Sequence, residues 1–271
     1  YVTRERQSYS LAMDYKFSPL HRISFKGIYN RRSDWENRYR ISYKKLNSKV
    51  SKQSVVFQTK AGSSDNKNAR LELQQTMDYT LDGEHMFGGL KMDWAVSYSR
   101  ATEERPNERY ASYNYKYGKK ETDFIDFGDG FKDVGDKQPY YSASLPSLDD
   151  SHWVLDELNN SNQDIAENEW KGRLNFTLPL AHGFYGNTLK FGAKYTSKDK
   201  TRTTSFFDYD AEEVLGEDWR KQTTLQVRDG FMPGSQYPAQ SPFISIKTLR
   251  NLAFSKFEGE ENSEEEAGNL K

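Results

Sequence analysis

The 271-residue chain contains no cysteine, which excludes a disulfide framework, a thiolate metal site and a cysteine nucleophile. Histidine is also scarce, and none of the four histidines has a second histidine at a spacing typical of metal ligands. No G-x-S-x-G, H-E-x-x-H, P-loop or G-x-G-x-x-G motif occurs in a sequence context that would support its function. We therefore predict a protein that is not an enzyme and has no catalytic residues, no metal site and no cofactor.

Excess charge and long apolar runs are absent as well. The 39 basic and 40 acidic residues nearly cancel, so bulk attraction to nucleic acid is not supported and we expect no nucleic-acid partner. No run of about 18 apolar residues exists, which excludes a transmembrane helix. The mean hydropathy of −0.97 still permits a transmembrane β-barrel, because only alternate strand residues of a barrel face lipid.

Alternation of large apolar and small or polar residues is the dominant pattern. From Tyr9 to Phe17 every second residue is large and apolar, and the same period returns at 71–81 and 170–180. A period of two places alternate side chains on opposite faces of a β-strand. The pattern is typical of a transmembrane barrel wall, and a soluble β-sandwich also produces it.

Three antiparallel hairpins are predicted from this alternation and from turn-forming residues. They pair strand 7–17 with 22–30, strand 69–81 with 89–99, and strand 168–180 with 188–197. The predicted turns are 18–21, Asp82–Gly83 and 182–187, and they hold His21, His85 and His182 as polar turn residues. We expect the apolar residues of 9–17 to share one face with those of 170–178.

The connections between the hairpins, 31–68, 100–167 and 198–271, are long. Short turns on one side and long loops on the other are typical of outer-membrane barrels. Three weaker strand patterns inside these connections are either membrane strands or hairpins above the membrane, so we predict six to nine strands. These patterns lie at 38–45, 53–60 and 109–117.

Aromatic residues in the long connections are the candidate ligand contacts, because aromatic rings give rigid contact area at low entropic cost. The alternative is that these rings only pack the loops together. The candidates are Trp35, Tyr110, Tyr113, Tyr115, Trp153 and Trp219.

Two charged segments have a functional and a structural interpretation. The acidic segment 123–133 suggests calcium ligands, but its spacing does not match an EF-hand loop, and a solvated surface loop is the simpler interpretation. The segment 103–110 either contacts a charged ligand or forms a salt-bridged rim or loop base in which Pro106 stops the strand ladder. We favour the structural interpretation for both segments.

Several stretches resemble the TonB-dependent outer-membrane receptors of the Bacteroidetes type. The resemblance covers roughly residues 10–110 and, more loosely, 167–209 and the acidic end. The stretches that carry it are 14–17, 23–30, 34–40, 68–72, 75–81, 83–85, 90–94 and 103–110. It implies an all-β fold in which an antiparallel, long-stranded sheet forms part of a barrel of about 22 strands with a plugged lumen.

The resemblance also implies a role, partners and a location. It implies energised uptake of a scarce nutrient, such as an iron chelate, cobalamin or an oligosaccharide, across the outer membrane. The partners would be outer-membrane lipid, the small nutrient ligand and the inner-membrane energy-coupling protein TonB, the last through parts that this chain lacks. The resemblance carries over no binding residue, because such residues vary with the ligand in this family.

We expect residues 1–271 to be a middle piece of such a barrel domain, because no signal peptide, plug domain or energy-coupling box is recognisable. The alternative is a soluble, secreted β-rich binding or adhesion module. A lipid-facing wall should carry no charge on its apolar face. The mild objection to a lipid-facing wall is the polar Gln75 on that face of the predicted strand 69–81.

Overall fold

The computed structural model describes residues 2–44, 54–67, 69–116, 147–180, 187–224 and 243–261. The chain is all-β with one large antiparallel sheet, as predicted. Its strands are β1 Val2–Ser18, β2 His21–Glu36, β3 Arg38–Lys44, β4 Ser54–Ala61, β5 Arg70–Phe87, β6 Leu90–Lys116, β7 Trp153–Pro179, β8 Thr188–Tyr209, β9 Thr223–Thr224, β10 Phe243–Ile244 and β11 Gly259–Glu261.

The helical elements are short. Two α-helices, α1 Ala211–Leu215 and α2 Ile246–Asn251, follow β8 and β10, and 3₁₀ turns occupy Ser64–Asn66, Trp219–Gln222 and Phe254–Lys256. Across the described ranges, no helix has the length and apolar character needed to cross a membrane.

The sheet has the strand order β1-β2-β5-β6-β7-β8-β11, and each of these pairings is antiparallel. The β3–β4 hairpin joins the same sheet, because β4 pairs with the upper part of β6 while β5 pairs with its lower part. β6 and β7 contain 27 residues each. A strand of that length is about 85 Å long at roughly 3.3 Å per residue.

The three predicted hairpins are confirmed, but the predicted turn at Asp82–Gly83 is wrong. Phe87 pairs with Leu90, so the turn is Gly88–Gly89, and Gly88 has a positive φ of 62° that glycine adopts without steric cost. Gly83 lies inside β5, where an added Cβ would lie 2.5 Å from Trp94 Nε1. The glycine therefore makes room for the indole ring. In the predicted turn 182–187, only Asn187 lies within the described residues.

The pairing register aligns the large apolar residues of six strands on one side of the sheet, here called the apolar face. Residues directly opposite each other in an antiparallel pair project to the same side. The apolar face comprises Tyr9, Leu11, Met13, Tyr15 and Phe17 of β1; Ile23, Phe25 and Tyr29 of β2; Met77, Tyr79 and Leu81 of β5; Leu90, Met92, Trp94, Val96 and Tyr98 of β6; Trp170, Leu174, Phe176 and Leu178 of β7; and Leu189, Phe191, Ala193 and Tyr195 of β8. The predicted sharing of one face by β1 and β7 is confirmed.

The opposite side of the same strands, here called the polar face, carries hydrophilic residues. Examples are Asp14, Lys26, Asp78, Asp93, Lys171, Arg173, Asn175, Lys190 and Lys194. Gln75 pairs with Arg31 and Thr102. It lies two residues above Met77, which pairs with Tyr29. It therefore stands above the aromatic edge of the apolar face and not within it.

Much of the sequence predicted as long loops is strand, which corrects that prediction. β2 continues to Glu36, β6 to Lys116 and β8 to Tyr209, and β7 already begins at Trp153. Strand extension keeps the backbone N–H and C=O groups paired beyond the apolar face. Of the weaker patterns, 38–45 and 53–60 correspond to the β3–β4 hairpin above β2 and β5, and 109–117 corresponds to the end of β6.

A buried hydrophobic core lies above the apolar face, on the same side of the sheet. It combines residues of β4, β6 and β7 with residues of the segment that contains α1, β10 and α2. Its largest fully buried side chains include Phe57, Tyr113, Leu158, Ile244 and Leu249. The core therefore occupies the upper part of the sheet, whereas the apolar face below it is exposed.

Candidate functional site

A cleft of about 530 Å³ lies on the polar face in the upper part of the sheet, with β3, β4, β6, β7 and β8 contributing its walls and floor. Its cationic lining residues are Arg38, Arg40, Lys44, Lys60, Arg105 and Arg202. Its acidic lining residues are Glu108, Asp156 and Glu157. With six cations and three acids, the lining has an excess of positive charge.

Two local features of the sequence bring these side chains to one face. On β3 the period of two projects Arg38, Arg40 and Ser42 to the same side. On β6 a bulge between Arg105 and Glu108 contains Pro106 and an Asn107 with a positive φ of 51°. The bulge shifts the alternation by one residue, so even-numbered residues face the cleft above it.

Glu108 is the most strongly bound acid of the cleft. Its Oε1 lies 2.7 Å from Lys60 Nζ, its Oε2 lies 2.6 Å from Arg70 Nε, and the Tyr110 hydroxyl donates a hydrogen bond to it. Burial by itself opposes ionisation of this carboxyl, but the two cations outweigh it and lower the pKa of Glu108 to about 2. Burial lowers the pKa of Lys60, and Glu108 partly offsets that effect.

Beside the cleft, charged residues of the polar face form a continuous ion-pair network. Arg70 also contacts Glu36 at 2.9 Å and Glu72 at 3.2 Å, and Arg105 contacts Glu103 at 2.7 Å. The network joins β2, β4, β5 and β6. It supports the interpretation of segment 103–110 as a salt-bridged structural element, although the strand bulges at Pro106 and does not end there.

Three arginines and one lysine of the cleft lie outside this ion-pair network. Within the described part of the chain, Arg38, Arg40, Lys44 and Arg202 form no ion pair with a carboxylate. Arg40 Nε donates to Ser42 Oγ at 3.0 Å. With the Gln163 amide oriented so that its oxygen faces Arg202, the guanidinium donates to that oxygen at 2.9 and 3.0 Å. Arg38 Nε is buried without a hydrogen-bond partner. None of the four cations is therefore neutralised by a carboxylate of the described residues.

Glu157 sits on the floor of the cleft. It accepts hydrogen bonds from Asn159 Nδ2 at 2.8 Å and from Gln58 Nε2 at 3.3 Å. Burial raises the pKa of this carboxyl, and the two amide donors only partly offset the effect. Its anionic form is therefore disfavoured compared with that of an exposed glutamate.

Four of the six predicted ligand contacts lie in the buried core. The exposed fractions are 1% for Tyr113, 5% for Tyr115, 4% for Trp153 and 5% for Trp219. Tyr113 packs against Trp219 and Trp153, with ring centroids 4.8 and 5.4 Å apart. Their burial supports the alternative that these rings pack the upper segment together.

The other two predicted contacts are accessible. Tyr110 lines the cleft, and Lys60 Nζ lies 4.7 Å from the centroid of its ring. Trp35 is half-buried on the opposite side of the sheet, where Lys67 Nζ lies 3.8 Å from its ring centroid. Only Tyr110 therefore joins the cleft. The sequence reasoning missed its arginines, because they converge only through the β3–β4 pairing and the bulge of β6.

The histidines show a second relationship that the sequence does not reveal. His85 lies inside β5 and not at a turn, directly opposite His21, with 3.2 Å between the two Nδ1 atoms. Trp94 Nε1 donates to His85 Nε2 at 3.1 Å. Among the described residues no group of three His, Asp or Glu side chains is arranged to hold a metal ion. His182 and the acidic segment 123–133 lie outside the described residues.

The cleft is thus a concave, hydrogen-bonding and positively charged surface. Its guanidinium groups suit the recognition of anions, because planar N–H donors match carboxylate and phosphate oxygens. No protein-family model matches the chain, and no curated protein matches it in sequence.

Proposed function

We propose that this chain is a section of the β-barrel of a TonB-dependent outer-membrane transporter that takes up a scarce nutrient. The observation that carries the proposal is the apolar face, which is continuous across six neighbouring strands. Its side chains are widely exposed, for example Tyr9 at 63%, Met13 at 60% and Tyr195 at 68%. A soluble module would have to cover an apolar surface of this extent, whereas lipid covers it in a barrel.

The height of the apolar face supports the proposal. On β1 it runs from Tyr9 to Phe17 and on β7 from Trp170 to Leu178. Each stretch has nine residues, which span about 26 Å along the strand at roughly 3.3 Å per residue, or about 21 Å in height at a tilt of about 35°. A tilted strand needs about 9–11 residues to cross the bilayer. The apolar band of an outer-membrane barrel is about 25 Å tall.

The upper edge of the apolar face is aromatic and slanted. The edge residues are Tyr9, Tyr29, Tyr79, Tyr98, Trp170 and Tyr195. Paired residues of neighbouring strands form rows at right angles to the strands. From Tyr29 on β2 to Tyr195 on β8, the aromatic edge moves down by about one residue per strand relative to these rows. A shift of roughly 3.3 Å along the strand for every 4.8 Å across the sheet corresponds to a tilt of about 35°. Strands of membrane barrels tilt by about 35–45°, and aromatic girdles mark their interfaces.

The two sides of the sheet then have separate tasks. The apolar face contacts outer-membrane lipid, and the polar face lines the hydrated lumen. The strands that rise above the aromatic edge carry the cleft, which captures the nutrient before it passes the barrel.

An uptake assay tests the proposal. Cells that express or lack the full-length protein are supplied with a ferric chelate, cobalamin or an oligosaccharide, each with and without TonB. We expect TonB-dependent uptake of one nutrient to be lost when the protein is removed. Unchanged uptake of all three nutrients, with the protein recovered in the soluble fraction, would contradict the proposal and favour a soluble binding module.

A further inference from the structure

We infer that the cleft binds a ligand with at least two oxyanion groups, either carboxylates or phosphates. The inference rests on the proposed function in one respect, since it assigns the chemical class of the nutrient that the cleft captures. It is carried by the cations of the cleft that the described residues leave without a carboxylate partner, and by their distribution over two opposite strands.

Not every cation of the cleft is available to a ligand. Lys60 is bound to Glu108 at 2.7 Å, and Arg105 is bound to Glu103 at 2.7 Å. Arg38, Arg40 and Arg202 form no such pair within the described ranges. A guanidinium group presents a rigid fork of N–H donors that binds a carboxylate or a phosphate in a bidentate manner. These three arginines therefore supply the oxyanion contacts.

The acidic residues of the cleft do not cancel these arginines. Glu108 is already engaged by Lys60 and Arg70. Glu157 is held by the amides of Gln58 and Asn159, and its buried position disfavours the charged form. Asp156 is the one exposed carboxylate of the lining. The electrostatic balance of the open cleft is therefore positive.

The positions of the arginines set the minimum number of anionic groups. Arg38 and Arg40 stand on β3, whereas Arg202 stands on β8, and β4, β6 and β7 separate these two strands. Three intervening strands put about 19 Å between β3 and β8 along the sheet. One small anion cannot occupy both sides. The ligand therefore presents one oxyanion group toward β3 and another toward β8.

Between the two arginine groups the cleft offers neutral hydrogen-bonding side chains. Gln58, Tyr110, Ser112 and Asn159 line this central part. This central part suits a polar middle portion of the ligand. Of the nutrient classes considered above, an anionic chelate fits this chemistry better than a neutral oligosaccharide.

Calorimetric titration of the full-length protein in detergent micelles tests the inference. The probes are N-acetyl-pentaglutamate for carboxylates, linear hexaphosphate for phosphates and raffinose as a neutral control. Both anions are long enough to contact the arginines of β3 and of β8 at the same time. The variants are Arg40→Gln, Arg202→Gln and their double substitution, which preserve hydrogen-bonding side chains. The matched control is Arg31→Gln, which makes the same change at an exposed position on the other side of the sheet.

We expect pentaglutamate or hexaphosphate to bind, and binding to weaken about tenfold with each cleft substitution, as loss of a charged hydrogen bond predicts. Binding of pentaglutamate alone assigns carboxylates, and binding of hexaphosphate alone assigns phosphates. No binding of either probe overturns the inference, as does an equal loss in Arg31→Gln or tighter binding of raffinose.

A lipid-partitioning measurement on the same preparation separates this inference from the proposed function. Stable insertion into lipid vesicles without anion binding contradicts only the inference about the cleft. Anion binding that depends on Arg40 and Arg202, without insertion into lipid, contradicts the transporter proposal and leaves the anion-binding cleft supported.

Discussion

Arg70 Nε and Glu108 Oε2 lie 2.6 Å apart, and this contact ties β5 to the part of β6 above its bulge. β5 and β6 stop pairing at Leu73 and Glu104, so the backbone does not connect Arg70 to Glu108 directly. The ion pair therefore connects the two strands beyond the point where their backbone hydrogen bonds end. Because Lys60 of β4 binds the same carboxylate at 2.7 Å, Glu108 holds β4, β5 and β6 together at the cleft.

Replacement of this carboxylate should therefore be costly. Glu108→Gln leaves Lys60 and Arg70 without their shared anion, and we expect the free energy of unfolding to fall by about 3 kcal/mol, as for a broken buried ion pair. Urea unfolding in detergent, followed by circular dichroism, measures the change. The control is Glu84→Gln, whose side chain is 46% exposed and whose pairs are long, at 3.6 and 3.7 Å. It should cost no more than about 1 kcal/mol, and equal losses in both variants would contradict the assignment.

The same carboxylate predicts a stability change in acid. Its pKa is lowered from 4.5 to about 2 in the folded protein, so ionisation of Glu108 favours the folded state. The contribution is complete above pH 4.5 and is lost as the pH falls through about 2. We expect the unfolding free energy of the wild-type protein to decline over this range more steeply than that of Glu108→Gln. Parallel curves for the two proteins would show that Glu108 does not contribute.

The contact of Gly83 with Trp94 predicts a different kind of sensitivity. An added Cβ at Gly83 would lie 2.5 Å from the indole nitrogen, whereas nothing lies within 4 Å of an added Cβ at Gly172 on the same face. Gly83→Ala should lower the unfolding free energy by about 1–3 kcal/mol through overpacking. Gly172→Ala should be neutral or slightly stabilising. The prediction fails if thermal unfolding in detergent gives the opposite order.

The buried aromatic residues predict that packing, and not ligand contact, is their main role. The Trp153 ring lies 5.5 Å from that of Phe57 and 5.0 Å from that of Tyr115, measured between centroids. Trp153→Ala should lower the unfolding free energy by about 3–5 kcal/mol. Trp35→Ala, at a half-buried position with one cation–π contact, should lower it by about 1 kcal/mol. A Trp153→Ala variant with unchanged stability but weakened nutrient uptake would instead support ligand contact.

The period of two was sufficient to predict the hairpins and the shared apolar face. Alternation fixes which side of a strand each residue occupies. The apolar residues of Tyr9–Phe17 and of Trp170–Leu178 therefore lie on the same side of the sheet, although four strand pairings connect β1 to β7. The turn of the second hairpin could not be placed in the same way, because Asp82–Gly83 and Gly88–Gly89 are both strong turn signals. Cross-strand packing of Trp94 over Gly83 identifies the second as the turn.

The cleft was beyond reach of the sequence patterns for a physical reason. Arg38, Glu108 and Arg202 are far apart in the chain and converge through the pairing of β3, β4, β6, β7 and β8. The bulge at Pro106 also shifts the alternation by one residue. Continuing the alternation of the lower part of β6 past the bulge would therefore place the residues above it on the wrong face of the sheet. For the same reason the contact between His21 and His85 depends on register and not on spacing.

Site-directed spin labelling along β7 tests most directly the central claim that the apolar face contacts lipid. The chain contains no cysteine, so a cysteine introduced into an otherwise cysteine-free full-length protein in lipid vesicles carries the only label. Leu174→Cys and Phe176→Cys report on the apolar face, and Arg173→Cys and Asn175→Cys report on the polar face. We expect labels at 174 and 176 to collide preferentially with oxygen dissolved in lipid, and labels at 173 and 175 with a water-soluble nickel complex. Labels at 174 and 176 that are shielded from both reagents, or as open to the nickel complex as their neighbours, would contradict the account.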